Sequence, residues 1–170
     1  MRAWPAKTRY NEQWGFTYIG VLGLVVVTGI LLTSASTYWS TIVKREKEEE
    51  LIFRGDSLRD AIASYYESAP QGRAKSYPSS LKDLLKDPRF PTLKRHVRKI
   101  YRDPMTKEGQ WGLILDSRGG IKGVFSLSKE APLKRAGFPK EYSHFQKAKS
   151  YRDWKFVYIP RPHPSQTANK

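Results

Sequence analysis

One uncharged stretch near the N-terminus decides the fold: FTYIGVLGLVVVTGILLTSASTYWSTIV, residues Phe16–Val43. A helix of about 20 predominantly apolar residues crosses the roughly 30 Å hydrocarbon core of a bilayer, and this stretch is longer than that. Arg2, Lys7 and Arg9 precede it, so the positive-inside rule keeps the N-terminus in the cytoplasm. The sequence therefore predicts a single-pass membrane protein whose C-terminal part lies across the membrane.

Two ordinary interpretations of this stretch stay open. A secretory signal peptide could be cut near the small residues Ser34-Ala35-Ser36, although the apolar stretch is longer than a signal peptide requires. Alternatively, the stretch is a plain signal anchor that is never processed. The junction Gln13-Trp14-Gly15-Phe16-Thr17, where a basic leader meets the apolar stretch, argues against both.

Composition limits the chemistry that the chain can perform. Its 170 residues carry a net charge of +15 and no cysteine, which excludes disulfide scaffolds, thiolate metal sites and cysteine nucleophiles. His96, His144 and His163 bear no regular spacing to one another or to acids. The glycines at 119–120 lack the Lys-Ser/Thr helix of a phosphate-binding loop. We therefore expect no enzyme, no cofactor and no metal site.

Beyond Val43 the helical pattern becomes amphipathic. Leu51, Leu58, Ile62 and Tyr65 fall on one helical stripe, and charged residues, Glu48 among them, are expected on the solvated face. The segment 68–72, Ser-Ala-Pro-Gln-Gly, ends the helix. The pattern predicts that the second half of one long helix lies on a globular domain.

The remaining sequence predicts a short helix and a small sheet. Ser80 can cap a helix within residues 79–86, and strands at residues 111–116 and 121–127 flank the turn Ser117-Arg118-Gly119-Gly120. Residues 154–159 predict a third strand. The fold class is therefore α+β, with a long N-terminal helix packed on an antiparallel sheet of about three strands, and residues 161–170 are expected to be a disordered tail.

The segment Gly15–Leu22, GFTYIGVL, resembles the class III leader of type IV pilins and type II secretion pseudopilins, in which GFTLIEVL is usual. The resemblance implies that prepilin peptidase cuts between Gly15 and Phe16 and methylates the new amine of Phe16. It also implies that the apolar helix is retained as membrane anchor and later as filament core. On this basis the chain divides into a leader (1–15), a transmembrane half-helix (16–43), an amphipathic half-helix (44–69), a periplasmic domain (70–160) and the tail (161–170).

Further motifs resemble the major pseudopilin of type II secretion in the same order along the chain, namely Tyr77-Pro78, Leu81 with Leu84-Leu85, Asp103-Pro104 and Ser126-Leu127. Members of that family bind calcium in a C-terminal loop. Here the corresponding loop, residues 128–138, has one acid and three cations, so the calcium site is not expected. Residues 129–152 are a basic and aromatic insertion relative to the family pattern.

Gly20 occupies the position at which the family usually has a glutamate that neutralises the N-terminal amine of a neighbouring subunit. Family members without this glutamate are often proposed to lie at the filament tip, so the resemblance leaves both shaft and tip open. We expect Gly20, Gly23 and Gly29 to permit close packing of helices in the filament core.

A basic segment offers a possible binding patch, made up of Arg89, Lys94, Arg95, Arg98, Lys99 and Arg102. Phe90 and Tyr101 are nearby in sequence, so the segment could bind nucleic acid. Alternatively, it forms a solvated basic face or contacts an acidic neighbour. The resemblance implies a pseudopilin of the bacterial inner membrane that supports protein export, with prepilin peptidase, other pseudopilins, the assembly platform and membrane lipid as partners. The alternatives are a type IV minor pilin, a DNA-uptake (competence) pseudopilin, and an unprocessed signal-anchored protein.

Overall fold

The computed structural model of the chain describes residues 14–160, apart from the side chains of residues 14–17 and 32–37. The leader up to residue 13 and the tail 161–170 lie outside the described residues. One α-helix, α1 (Trp14–Glu67), precedes strands β1 (Trp111–Leu115), β2 (Ile121–Ser126) and β3 (Lys155–Val157) in the described part of the chain. The chain divides into two units between Val43 and Lys44.

The predicted α+β class and the three-stranded antiparallel sheet are confirmed. The strand order is β1-β2-β3, and Trp111 lies opposite Ser126 in the first pair of strands. Asp116 fixes the turn between β1 and β2, because its carboxylate accepts hydrogen bonds from the backbone N–H groups of Arg118 and Gly120 at 3.0 and 2.7 Å. β3 is shorter than predicted, although the backbone N–H of Tyr158 still donates to the carbonyl of Lys122.

α1 begins two residues before Phe16 and ends at Glu67, next to the predicted terminator. Within the part of the chain that the structure describes, no helical segment combines the length and the apolarity needed to cross a membrane. Residues 18–31 and residues 44–67 of α1 belong to different units and are considered separately below.

In the second unit, the predicted stripe of α1 forms one side of the core. Leu51, Leu58, Ile62 and Tyr65 are all buried. The sheet contributes Val124 and Phe156 to the same core, among other residues. Gly55 permits the closest approach, since a Cβ at that position would lie 2.4 Å from the Phe156 ring. Glycine disfavours a helix interior, but here it is the point at which β3 packs against α1.

The insertion 129–152 is part of this core. It contains 3₁₀ helical turns at Lys140–Lys147, and a further turn follows at Tyr151–Asp153. Phe145 stacks on Trp154 with ring centroids 5.3 Å apart and planes at 4°. Tyr142 donates a hydrogen bond to Asp56 on α1. Aromatic residues that depart from the family pattern therefore cover the middle of α1 and enlarge the core.

Glu48 was expected on the solvated face, and this expectation is wrong. Its side chain is buried and accepts hydrogen bonds from the backbone N–H groups of Leu133 and Lys134, at 2.6 and 3.2 Å, and from the Tyr151 hydroxyl at 2.9 Å. A buried carboxylate is tolerated when its oxygens are satisfied in this way. Burial and the bond to Glu48 raise the pKa of the Tyr151 hydroxyl above its ordinary value.

Two of the dipeptides that carry the family resemblance contact each other. The carboxylate of Asp103 is buried and accepts hydrogen bonds from the Ser126 hydroxyl at 2.7 Å and from the Leu127 N–H at 3.3 Å. The dipeptide Tyr77-Pro78 also contacts the sheet, because the carbonyl of Pro78 accepts a hydrogen bond from the N–H of Ile121 in β2. These residues fix the long connection between α1 and β1 against the hairpin.

Candidate functional site

The predicted cleavage site lies at the edge of what the structure describes. Gly15 and Phe16 belong to the first turn of α1, but the structure describes only the backbone there. Processing and methylation at Phe16 therefore stay predictions.

Just beyond this site, α1 exposes apolar side chains on every side. The consecutive residues Val25, Val26 and Val27 expose 62, 62 and 54 % of their surface, and Ile19 and Leu31 expose comparable fractions. Successive helical residues point about 100° apart, so no side of this segment is covered by other described residues. A helix that is apolar all round is stable only inside a protein core or a membrane.

The three glycines expected to pack helices together do not share one face. A Cβ built on Gly20, Gly23 or Gly29 would meet no atom within 4 Å. Helical geometry places Gly23 about 60° around the axis from Gly20, but Gly29 about 180° from it. Gly20 and Gly23 can therefore admit one neighbouring helix, whereas Gly29 faces the opposite side.

The structure separates Arg89 from the rest of the predicted basic patch. Its guanidinium forms an ion pair with the buried Asp87 at 2.7 Å and lies 3.6 Å from the centroid of the Tyr65 ring. Burial opposes ionisation of Asp87, but the hydrogen bonds from Arg89 and His96 outweigh it and lower the pKa to about 2. Arg89 thus stabilises the fold, and its charge is already matched.

The other basic residues line the flank of α1. Lys94 lies over Phe90 with its Nζ 4.2 Å from the ring centroid. Arg95 and Arg98 are exposed and make no hydrogen bond or ion pair with other described residues. Arg102 donates to the carbonyl of Glu108, and its own carbonyl accepts a hydrogen bond from Arg54.

An exposed aromatic pair accompanies these cations. Phe53 of α1 exposes 62 % of its surface and meets Tyr101 edge to face, with centroids 6.2 Å apart. The ammonium of Lys99 and the guanidinium of Arg54 lie 5.2 and 5.9 Å from the centre of the Tyr101 ring. We call this region the basic–aromatic surface; it comprises Phe53, Arg54, Lys99, Tyr101 and Arg102. Arg54 also forms an ion pair with Glu50. Aromatic faces beside the remaining cations suit phosphates with exposed bases, or an acidic protein segment.

One polar cluster could not be found by sequence reasoning. The Nε2 atom of His96 lies 3.1 Å from Asp87, and its Nδ1 atom lies 2.8 Å from the hydroxyl of Ser64. Neither the open groove beside β3 nor the small cavity lined by Arg45 and Leu133 includes these residues. The cluster joins the loop 87–97 to α1, and only the fold brings together three residues so widely spaced in sequence. It ties the basic segment to the helix.

The groove beside β3 and the metal-ligating side chains are the remaining features of the described residues on which chemistry could depend. An open groove of about 1210 Å³ runs between α1 and β3, with Arg59, Glu67, Lys122 and Lys155 among its charged residues. No cluster of three or more metal-ligating side chains occurs in the part of the chain that the structure describes. No protein-family model, curated protein or solved structure matches the chain.

Proposed function

We propose that the chain is a pseudopilin subunit of a type II secretion-like machine. The observation that carries the proposal is the Gly15-Phe16-Thr17 junction at the start of a continuous helix whose described residues 18–31 are apolar and exposed all round. Such a surface needs lipid or other helices around it, and a pseudopilin subunit has both in turn. The contact between Asp103 and Ser126, two residues of the family-like dipeptides, adds support.

In this proposal the uncharged run 16–43 holds the subunit in the bacterial inner membrane with its N-terminus in the cytoplasm. Prepilin peptidase removes residues 1–15 and methylates Phe16. The assembly platform then extracts the subunit into a short periplasmic filament, in which helix packing replaces lipid contact. The packed unit from Lys44 onward stays in the periplasm and meets other pseudopilins or exported protein.

The experiment that tests this proposal is the intact mass of the chain extracted from membranes, expressed with and without a prepilin peptidase. We expect a mature chain that begins at Phe16 and carries one added methyl group, only when the peptidase is present. Gly15→Val should abolish processing, because the peptidase must fit the residue before the scissile bond. Ala3→Val is the matched control and should be processed normally. A chain that begins at Met1 in every sample leaves an unprocessed, signal-anchored protein and contradicts the proposal.

A DNA-uptake pseudopilin is the second candidate, and the basic–aromatic surface favours it. Residues 93–102 contain no acid, Arg98 is exposed, and Lys99 lies against the Tyr101 ring of the Phe53–Tyr101 pair. Phosphate contacts make affinity fall steeply with salt. Duplex binding that weakens strongly with salt, and is lost with Arg98→Gln plus Lys99→Gln, would favour this candidate over protein export.

A further inference from the structure

We propose that the loop 128–138, held against α1 by Glu48, docks on anionic lipid headgroups at the membrane surface. The inference rests on the proposed membrane anchoring and adds a lipid-binding surface to it. We call this surface the cationic rim; it comprises Arg45, Leu133, Lys134 and Arg135. All four residues line a single cavity of about 350 Å³ within the second unit.

The position of the rim along α1 follows from the sequence. Arg45 and Glu48 come two and five residues after Val43, the last residue of the uncharged run. At about 1.5 Å per residue, both lie within about 8 Å of the end of that run, measured along the helix. The headgroup layer on each side of the hydrocarbon core is about 5–8 Å thick. In the proposed anchoring, a span that ends near Val43 therefore leaves Arg45 and Glu48 only two and five residues of chain beyond the hydrocarbon core.

Glu48 holds the loop at the same level. The N–H groups of Leu133 and Lys134 both donate to its carboxylate, so the tip of the loop cannot move away from α1 without breaking these bonds. A second contact supports the loop from the other side, where Arg135 donates to the carbonyl of Ala148 at 3.3 Å. Apart from this bond of Arg135, the loop is fixed by the buried carboxylate of Glu48, which leaves Arg45 and Lys134 for a partner.

The outer groups of the rim have the chemistry of a membrane interface. Leu133 exposes 40 % of its surface at the tip of the loop, with Lys134 and Arg135 next to it. The cavity is lined by three cations and two acids. The carboxylate of Glu48 is buried and already bonded to the loop, so Glu49 is the exposed acid among them. An apolar tip flanked by cations inserts at the boundary between headgroups and acyl chains, while the cations contact lipid phosphates. Each cation near an anionic surface raises the binding constant about fivefold.

Neighbouring loops extend the positive surface. Lys129, Lys149 and Arg152 are exposed, and the N–H of Tyr151 donates to the carbonyl of Glu130, which joins these segments. Glu130 itself is matched by Lys44 at 2.9 Å. The one acid within the loop is thus already paired, and the exposed cations are available to lipid phosphates.

The test uses the full chain, in which Leu133→Cys supplies a unique labelling site because the sequence has no cysteine. The protein carries an environment-sensitive dye at this position and is reconstituted into phosphatidylcholine vesicles with and without phosphatidylglycerol. Spin-labelled lipids then quench dyes that reach the interface. We expect quenching to require phosphatidylglycerol, and Arg45→Gln with Lys134→Gln to lower the docked-to-free ratio about fivefold per cation. Lys122→Gln with Lys155→Gln removes the same charge elsewhere and should change nothing.

A dye at Val26→Cys separates this proposal from membrane anchoring. If the dye at 26 is quenched in both vesicle types and the dye at 133 in neither, the lipid-docking proposal is overturned and anchoring stands. If the dye at 26 is never quenched, anchoring fails and the docking proposal fails with it. Inorganic phosphate at constant ionic strength provides the last arm, since competition by phosphate for the dye at 133 would indicate an ion site and overturn lipid docking.

Discussion

Leu24 and Leu58 lie on the same α-helix, yet Leu24 exposes 66 % of its surface and Leu58 exposes none. The helix around Leu58 packs on a sheet and an aromatic cluster from its own chain. The helix around Leu24 meets no tertiary partner among the described residues, and its apolar side chains are exposed. Identical secondary structure thus has two environments, and within the described residues only the second half is packed against other parts of the chain.

The largest expected difference between the two halves comes from truncating a core side chain. Phe156→Ala removes a buried ring that packs on Gly55 and Trp111, and should lower the free energy of unfolding by about 3–5 kcal/mol. Leu24→Ala should leave that free energy within about 0.5 kcal/mol. Urea unfolding of the full chain in detergent, followed by near-ultraviolet circular dichroism, measures both. Equal losses in the two variants would refute the division between the halves.

Acid should distinguish the halves next, because the uncharged run has no carboxylate to protonate. The folded pKa of Asp87, about 2, is below the ordinary value for an aspartate, so its contribution is complete above about pH 5 and is lost as pH falls toward 2. The difference corresponds to about 2–3 kcal/mol. The Asp87→Asn variant should be less stable than the parent chain at neutral pH. Its free energy of unfolding should change less as pH falls from about 5 to about 2.

The control for the acid experiment is Asp60→Asn, which changes an exposed carboxylate that pairs with Arg59. It should keep the pH profile of the parent chain. Urea midpoints measured between pH 6 and pH 2 give the comparison directly. If Asp87→Asn follows the same profile as the parent, the cluster around Asp87 does not contribute to acid sensitivity.

The smallest effect compares two glycines of α1. In Gly55→Ala the new methyl would lie 2.4 Å from the Phe156 ring, a clash that costs about 1–3 kcal/mol against about 1 kcal/mol gained in helix propensity. A net loss of about 1 kcal/mol is expected in thermal unfolding. Gly23→Ala meets nothing within 4 Å and should leave the subunit unchanged.

The same pair of variants reports on assembly. Under the proposed function, Gly23→Ala should weaken filament formation, since the added methyl separates helices that approach at Gly20 and Gly23. Chemical cross-linking of subunits in membranes detects this loss. If Gly23→Ala assembles normally while Gly55→Ala is destabilised, glycine at position 23 has no role in helix packing.

Local patterns in the sequence were enough to predict much of the packed unit. The buried stripe on α1 follows from helical periodicity, and the hairpin follows from alternating residues around Gly119-Gly120. The Ser80 cap is also present, although the helix it begins is only a 3₁₀ turn at Leu81–Leu84. Each of these features depends on residues a few positions apart.

Features that depend on distant residues were missed. Glu48 looked solvated because its partners, the amides of Leu133 and Lys134, lie far along the chain. Arg89 looked like a surface cation because the sequence does not show that its neighbour Asp87 is buried. Nor does it show that the guanidinium lies over the ring of Tyr65, 24 positions earlier. The insertion 129–152 had no periodic pattern, yet its aromatic residues complete the core. Periodicity reports which face is apolar, but it does not report which distant group will satisfy a buried charge.

The buried carboxylate of Glu48 also sets an order of events during synthesis. A ribosome makes Glu48 well before its partners, which are 85 residues later for Leu133 and 103 residues later for Tyr151. Closing a loop of that length is slow compared with forming a helix or a hairpin. The Glu48 charge therefore stays hydrated until nearly the whole chain has emerged. The first-made end of the domain is therefore among the last parts to complete its packing.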